Sequence, residues 1–173
     1  MGTIGSLIST VTMTGSYTKA SDLTSLAEAV NYSNSPVPYS NGSGSYQVNA
    51  LYSDTRELAS AAESFDLNAG TMVDSFGTAL VFTAVKLLFI KNRSVTSPQR
   101  FIVTGDFFTG TTSQSPMFGA TTPTINIGPN GYLLLESPID GFNVTSTTSD
   151  VITISNVVAA ATFSYDIIIL GIV

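Results

Sequence analysis

The sequence predicts an all-β protein, an antiparallel β-sandwich with one short N-terminal helix. At least eight short segments rich in β-branched and aromatic residues recur along the chain, and turn sequences separate them at intervals of about ten residues. One of these segments is apolar on both faces, which is expected of a strand buried between two layers. No fixed-period repeat is present, which argues against a propeller or a solenoid. The same spacing of strands is also typical of a barrel.

The segment with two apolar faces is Ala79 to Lys91, and we predict it to be the central strand. Its odd and even positions are both apolar and rich in β-branched or aromatic residues, and only Lys86 interrupts the pattern. A helix is the competing interpretation. It is disfavoured because β-branched side chains lose rotamer freedom in helices and because no capping pattern precedes the segment.

The N-terminal region has a different pattern. Met1 to Gly15 contains scattered apolar residues and an alternating stretch, which predicts a short strand or a docked arm. Ser21 to Val30 is predicted to form a helix, because Ser21 is a good N-cap residue and the apolar residues recur at helical spacing. Those apolar residues are Leu23, Leu26, Ala27 and Val30. Asn31 to Ser45 follows as a loop that Pro and Gly residues keep irregular.

The rest of the chain predicts strands separated by turns. The predicted strands are Tyr46–Tyr52, Arg56–Leu67, Arg100–Thr104, Thr124–Ile127, Tyr132–Glu136, Gly141–Thr145, Val151–Ser155 and Thr162–Leu170. The Ala-rich stretch Leu58 to Ala62 also allows a helix, and Thr109 to Thr122 is predicted as a low-complexity loop. We therefore divide the chain into an N-terminal arm, helix and loop (residues 1–40) and a β-sandwich domain (residues 41–173).

The composition argues against an enzyme and against a nucleic-acid-binding protein. The 173 residues include no histidine and no cysteine, which removes the usual general base, the usual zinc ligands and any Ser-His or Cys-His pair. The net charge is −6 with only six Lys and Arg, so no basic track for phosphates is expected. Asp66 to Gly70 has oxygen ligands spaced like part of a calcium loop, but it lacks the closing Glu and we predict a turn. We expect no catalytic residue, no metal and no cofactor.

Low charge and a positive mean hydropathy predict that this chain buries surface against other chains. Charged residues are 10 % of the sequence, compared with about 25 % in ordinary soluble domains. No segment approaches the about 20 apolar residues of a membrane span, and the N-terminus lacks a secretory signal pattern, so we expect neither a membrane nor a leader. The interface candidates are apolar residues of the arm and helix and tyrosines of the loop: Ile4, Leu7, Ile8, Leu23, Leu26, Val30, Tyr32, Tyr39 and Tyr46.

Two series of short motifs follow the N-terminal region. The first series is Asn41-Gly-Ser-Gly44, Asn49, Asp54-Thr-Arg56-Glu-Leu58, Phe65-Asp-Leu67, Asp74-Ser-Phe-Gly77 and Val81-Phe-Thr-Ala-Val-Lys86. The second series is Gly128-Pro-Asn-Gly131, Asn143-Val-Thr145, Ser149-Asp150, Ile154-Ser-Asn156 and Tyr165-Asp-Ile-Ile-Ile-Leu-Gly171. In their order and spacing, these motifs resemble the small β-sandwich structural proteins of tailed bacteriophages, from about Asn41 to the C-terminus.

The resemblance implies a jelly-roll-like fold, no catalysis, and a capsid decoration (cement) protein that stabilises a phage head through contacts between subunits. It implies a homotrimer on the three-fold positions of the capsid, with the major capsid protein as partner. It also implies a place on the capsid surface of the virion after synthesis in the cytoplasm of a host bacterium. Two alternatives stay open. One is a carbohydrate- or receptor-binding β-sandwich module whose loop tyrosines stack on sugar, and the other is a tail or baseplate component.

Overall fold

A computed structural model describes residues 3–20, 25–59, 62–109, 123–158 and 162–173, and the protein is all-β within them, as predicted. The strands of the described residues are β1 (Leu7–Ser9), β2 (Thr12–Ala20), β3 (Ser25–Ser33), β4 (Val37–Asn41), β5 (Gln47–Val48), β6 (Ala50–Leu58), β7 (Ala62–Asp66), β8 (Met72–Val73), β9 (Ala79–Leu80), β10 (Ala84–Asn92), β11 (Phe101–Thr104), β12 (Ile125–Ile127), β13 (Tyr132–Glu136), β14 (Phe142–Asn143), β15 (Val151–Asn156) and β16 (Phe163–Ile172). One turn of 3₁₀ helix lies at Asp106–Phe108.

Two antiparallel sheets make up the body of the protein. In sheet I the strand order is β13-β10-β16-β6, with β14 also paired to β10, and in sheet II it is β12-β11-β15-β7. The two sheets pack face to face, and their inward residues together form one buried apolar core. Phe101 of sheet II stacks on Phe163 of sheet I with their ring centroids 5.0 Å apart. Removing such side chains from water is the main favourable term in folding.

Strand β10 is the central strand, and both of its faces are covered. Leu88 and Ile90 belong to the core between the sheets, whereas Leu87 and Phe89 belong to a second apolar cluster on the outer face of sheet I. This second cluster is centred on Tyr39, Val48, Leu87 and Leu170. The prediction from the two apolar faces is therefore confirmed for Ala84 to Lys91. It is wrong for the first five residues, because Ala79–Leu80 is β9 of the separate hairpin β8–β9 and residues 81–83, with Val81 exposed, link it to β10.

Lys86, the charged residue within the predicted central strand, lies at a β-bulge. The pairing of β10 with β16 shifts register between Val85 and Leu87, which releases Lys86 from the regular alternation. Its side chain is buried, and its ammonium group donates a hydrogen bond to the carbonyl of Ile139, 2.5 Å away. Burial lowers the pKa of Lys86, and the nearby Asp140 opposes this. The bulge thus accommodates a charge in an otherwise apolar strand.

A third, smaller sheet covers part of the outer face of sheet I. It consists of β1, β4 and β5, and its inward residues belong to the second cluster or pack against it. Tyr39 is fully buried there, and its hydroxyl donates a hydrogen bond to a Glu136 carboxylate oxygen 2.9 Å away. The Ser9 hydroxyl donates to the other oxygen of Glu136 at 3.2 Å. Strand β4 runs across residue 40, where we placed the domain boundary, and that division stays a prediction.

The predicted N-terminal helix is wrong. Ser25–Ser33 forms strand β3, which pairs antiparallel with β2. Leu23 lies outside the described residues, as does nearly all of the predicted loop Thr109–Thr122. From Leu26 to Tyr32 the large apolar residues also recur at every second position, with Glu28 as the one exception. A helix of about ten residues is marginal in water, whereas the Thr-containing segment before it is a suitable strand partner.

Candidate interaction surfaces

The N-terminal strands form one long two-stranded ribbon. Its root, β1 with β4, lies on sheet I, and beyond the root β2 pairs with β3 along nine residue pairs. Residues 10–11 link the outgoing strands and residues 34–36 link the returning strands, and the Asn34 amide donates to the Val11 carbonyl at 3.0 Å. We call β2 and β3 together (Thr12–Ala20 and Ser25–Ser33) the distal ribbon.

At the end nearest the root, the distal ribbon has one apolar and one polar face. Residues directly opposite each other place their side chains on the same face, and the register sets Met13 opposite Tyr32 and Gly15 opposite Val30. The alternate pairs at this end are polar: Thr12 with Ser33 and Thr14 with Asn31. Farther from the root, the first face continues with Tyr17 opposite Glu28 and Lys19 opposite Leu26, so we call only its Met13, Val30 and Tyr32 part the apolar face. Met13, Val30 and Tyr32 are 56 %, 49 % and 51 % exposed, and β2 and β3 pair with no other described strand. The apolar face is therefore open to solvent.

This apolar face continues the face by which the root packs on sheet I. In the root, Leu7 and Tyr39 lie opposite one another and contact the second cluster or belong to it. Counting in steps of two from Leu7 reaches Met13 on the outgoing strand. The returning strands are linked by three residues and the outgoing strands by two. The extra residue shifts the alternation by one, so that Tyr32 and Val30 lie on the same face as Tyr39. The apolar face that is covered at the root therefore continues on the distal ribbon, where it is exposed to solvent.

The predicted interface residues fall into two groups. Three of them pack inside the protomer at the second cluster: Ile4, Leu7 and Tyr39. Four have exposed side chains: Ile8, Val30, Tyr32 and Tyr46. Of the remaining two, Leu26 lies in β3 and Leu23 lies outside the described residues. Burial, and then the hydrogen bond with Glu136, raise the pKa of Tyr39, which acts as an internal anchor. A role for these residues in contacts between chains stays a prediction.

A polar cluster joins the edges of the two sheets. Strand β6 is the outermost strand of sheet I at one side, and β7 is the outermost strand of sheet II. Arg56 on β6 forms ion pairs with Asp54, 3.0 Å away, and with Glu63 on β7. Its guanidinium lies 5.6 Å from the ring centroid of Phe65, and Tyr165 of sheet I donates a hydrogen bond to Glu63. We call these five residues the edge clasp. The spacing of Asp54 and Arg56 indicates one of its pairs, whereas no sequence signal connects them with Glu63.

Two members of the edge clasp, Arg56 and Tyr165, have raised pKa values. Burial alone lowers the pKa of Arg56, but hydrogen bonds with Glu63 and Asp54 outweigh burial and raise it. Burial, and then the hydrogen bond with Glu63, raise the pKa of Tyr165. Among the described residues, no buried side-chain nitrogen or oxygen lacks a hydrogen-bond partner. The cluster therefore has the character of a structural tie between sheets.

A groove of about 460 Å³ lies beside the edge clasp. Residues of the two edge strands and of segment 71–75 line it. It contains the carboxylates of Asp54, Glu63 and Asp74, one guanidinium, and the rings of Tyr52 and Phe65. Its volume lies within the range of about 300–1,000 Å³ that small-molecule sites occupy. The surplus of carboxylates repels anions and favours neutral or cationic ligands.

The part of the chain that the structure describes holds no group of three or more His, Cys, Asp or Glu side chains placed to bind a metal ion. It also contains no helix long and apolar enough to cross a membrane. No protein-family model matches the chain, and no curated protein matches its sequence. The resemblance to phage structural proteins therefore stays a prediction that rests on the motifs.

Proposed function

We propose that this protein is a non-enzymatic structural protein of a virion, a decoration (cement) protein on the head of a tailed bacteriophage. It assembles with copies of itself as a homotrimer on the capsid surface and binds the major capsid protein, without nucleic acid, membrane or cofactor. The observation that carries this proposal is the distal ribbon, whose apolar face is open in the described protomer. A protein whose task is to bury surface between subunits needs such a face.

A jelly-roll-like fold is part of the proposal, and the strand order supports it. Apart from the two-residue strand β14, the two main sheets contain eight strands, which in chain order are β6, β7, β10, β11, β12, β13, β15 and β16. Numbered one to eight, sheet I runs 1-8-3-6 and sheet II runs 2-7-4-5. This is the order expected of two Greek-key motifs folded together, an arrangement that viral capsid domains and lectins use. The fold is compatible with a capsid role but does not select one.

The distal ribbon needs a partner for physical reasons. A two-stranded ribbon is at best marginally stable in water, and a third strand or a packed face is needed for independent stability. Met13, Val30 and Tyr32 on its apolar face are about half exposed. Covering them against a neighbouring subunit contributes about 25 cal/mol for each Å² of apolar surface removed from water. Repeated over many copies, small contacts of this kind reinforce a shell.

A variant trimmed at the base of the distal ribbon tests the proposal. Val11 and Asn34 are already hydrogen-bonded to each other, so replacing residues 12–33 with Asn-Gly closes the chain by a two-residue hairpin turn. The root and the sheets keep their contacts. We expect the full chain to have a native mass near three times 18.1 kDa and to bind phage heads stripped of their decoration protein. The trimmed chain should be a monomer that does not bind them.

The control for this experiment changes only the polar face of the ribbon. Thr14→Ser combined with Asn31→Ser should assemble like the wild type, because both residues lie on that face. Deleting residues 1–30 is less informative, since it also removes Ile4 and Leu7 from the second cluster. The proposal would be contradicted if the full chain were a monomer that does not bind stripped heads. A ring of six would favour a tail or baseplate component instead.

A carbohydrate- or receptor-binding module is the second candidate, and the groove beside the edge clasp is the observation that favours it. Aromatic rings offer a face to a sugar ring, and the polar groups of the groove offer partners to its hydroxyls. Thr71→Arg at the exposed rim should block the groove by size, and Thr124→Arg changes an exposed residue elsewhere. Glycan-array binding that only Thr71→Arg abolishes would support this candidate. A decoration protein should give no signal on the array.

A further inference from the structure

The outer face of sheet I is apolar at one end and charged at the other. Its composition follows from the register of β13, β10, β16 and β6. The first cross-strand row consists of Glu136, Leu87, Leu170 and Leu51. The second row consists of Leu134, Phe89, Ile168 and Ser53. The third row consists of Tyr132, Lys91, Asp166 and Thr55. The root of the N-terminal ribbon packs at the first row.

The second row is only partly covered by the root of its own protomer. Phe89, Leu134 and Ile168 pack against the second cluster but remain half-buried. Beside them Tyr132 is 62 % exposed, and its ring centroid lies 5.9 Å from that of Phe89. We call these four residues the outer strip. The charged residues of the third row bound it, so the strip is a defined apolar site at the open end of the sheet face.

The outer strip and the first row of sheet I, on which the root packs, are both suited to contact the apolar face of a two-stranded ribbon. The root covers the first row with one face of an alternating ribbon, to which Leu7 and Tyr39 belong. The distal ribbon presents the continuation of that face, with Met13, Val30 and Tyr32. Sheet I of a second copy therefore offers the distal ribbon the type of contact that the root already makes within its own protomer.

We propose that the distal ribbon of one copy docks on the outer strip of the next copy. This inference rests on the proposed function, because docking requires that copies of the chain assemble. The occupant is a second copy because the apolar face of the ribbon is continuous with an interface that this chain makes on the same face of sheet I. Met13, Val30 and Tyr32 of the ribbon are about half exposed in their own protomer, so the strip that they cover belongs to a neighbour.

The area of the contact favours reciprocal exchange. The apolar end of the distal ribbon is about four residues long, or about 13 Å, and two strands span about 10 Å, so it covers about 130 Å². A stable interface buries about 800 Å² on each partner, which a single ribbon does not reach. When every copy donates one ribbon and accepts one, each buries about 260 Å² by ribbon contacts, and contact between the bodies must supply the rest. A closed ring satisfies this condition, whereas an open chain leaves a ribbon unpaired at its end.

The absence of cysteine from the sequence allows a direct test by cross-linking. Val30→Cys places a thiol on the apolar face of the distal ribbon, and Tyr132→Cys places one on the outer strip. The two single variants, one of them carrying a size tag, are mixed, allowed to exchange subunits and oxidised. We expect the main product to contain one copy of each variant. Val95→Cys mixed with Val30→Cys is the matched control, since Val95 is highly exposed elsewhere, and should cross-link at least tenfold less.

Three other outcomes would overturn the docking. Cross-linking of Val30→Cys mainly to itself would place ribbon against ribbon. A monomeric disulfide in the double variant Val30→Cys/Tyr132→Cys would mean that the ribbon folds back on its own sheet. An oligomer without the mixed product would overturn the docking and leave the proposed function standing. Mixed product from a protein that does not bind stripped heads would support the docking and count against the decoration role.

Discussion

At the scale of single residues, the hydroxyls of two buried tyrosines tie layers together. Tyr39 joins the small N-terminal sheet to β13 through Glu136, and Tyr165 joins sheet I to β7 through Glu63. Burial first, and the carboxylate partner second, raise the pKa of both tyrosines above the ordinary value. A neutral hydroxyl donates to a carboxylate and a phenolate does not, so both ties require protonated tyrosine.

These two tyrosines should make stability fall at alkaline pH. In the unfolded chain a tyrosine ionises near pH 10, whereas the folded forms stay neutral. The unfolded state therefore binds fewer protons above about pH 10, and stability that is fully present below this pH is lost as the pH rises further. Each tyrosine should lower the free energy of unfolding by about 1.4 kcal/mol per pH unit well above pH 10.

Urea unfolding between about pH 8 and about pH 11 measures this slope. The double variant Tyr39→Phe/Tyr165→Phe should be less stable at neutral pH, because two carboxylates lose a donor. Its free energy of unfolding should then decline less steeply with pH than that of the wild type. A variant with the slope of the wild type would contradict the raised pKa values.

At the scale of elements, contacts between the edge strands of the two sheets hold the sheets together. Strands β6 and β7 each lack a neighbour on one side among the described strands, and such edges are liable to pair with strands of other molecules. The edge clasp holds Arg56 of one edge strand against Glu63 of the other. Inward-facing charges are one of the devices by which natural sheets protect their edges. The clasp thus both ties the sheets and discourages an intruding strand.

Arg56→Met should lower the free energy of unfolding by about 1–2 kcal/mol. The substitution keeps an apolar stem but leaves Glu63, a partly buried carboxylate, without its cation. We expect no larger effect, because the Arg56 side chain is more than a third exposed and solvent screens the pair. Urea unfolding at neutral pH measures the change.

The matched control for the edge clasp is Arg93→Met. Arg93 pairs with Asp166 at a more exposed position and should contribute at most about 0.5 kcal/mol. Adding Glu63→Gln to Arg56→Met should restore part of the lost stability, since the unpaired carboxylate is then removed. Equal losses in the two arginine variants would argue against a special role for the clasp.

At the scale of the whole molecule, the many apolar residues of this weakly charged sequence lie in three parts of the structure. One part fills the core between the sheets, and a second forms the cluster beneath the small N-terminal sheet. The third is the distal ribbon together with the outer strip, which remains accessible to other chains. Each copy has a net charge of −6, so copies repel electrostatically, and the association that we propose depends on apolar contact.

Assembly should therefore strengthen as salt is added. Raising the ionic strength from about 0.01 M to about 0.1 M shortens the screening length from about 30 Å to about 10 Å and weakens the repulsion between like-charged copies. Apolar contact between ribbon and strip does not depend on ion pairs. We expect the dissociation constant, measured by sedimentation equilibrium, to fall about threefold or more. Dissociation by added salt would mean that ion pairs hold the copies together.

The sequence by itself determined the fold class and the burial of the central strand. Two-residue alternation and β-branched content are local properties. They predicted an all-β chain, and they predicted burial on both faces for Ala79 to Lys91, which the structure confirms from Ala84 onward. The same local information marked Lys86 as the exception, which the structure places at a bulge. Composition also showed an apolar surplus too large for an ordinary soluble surface.

Only the tertiary structure decided where that surplus goes. Ser25–Ser33 fits both a helix and a strand by period, and the partner strand β2 selects the strand. Tyr39 has the sequence context of a loop tyrosine, yet sheet I buries it from a distant part of the chain. Arg56 meets Glu63 because their strands belong to different sheets that face each other. These contacts depend on how sheets pack, and packing brings together residues whose spacing in sequence carries no signal.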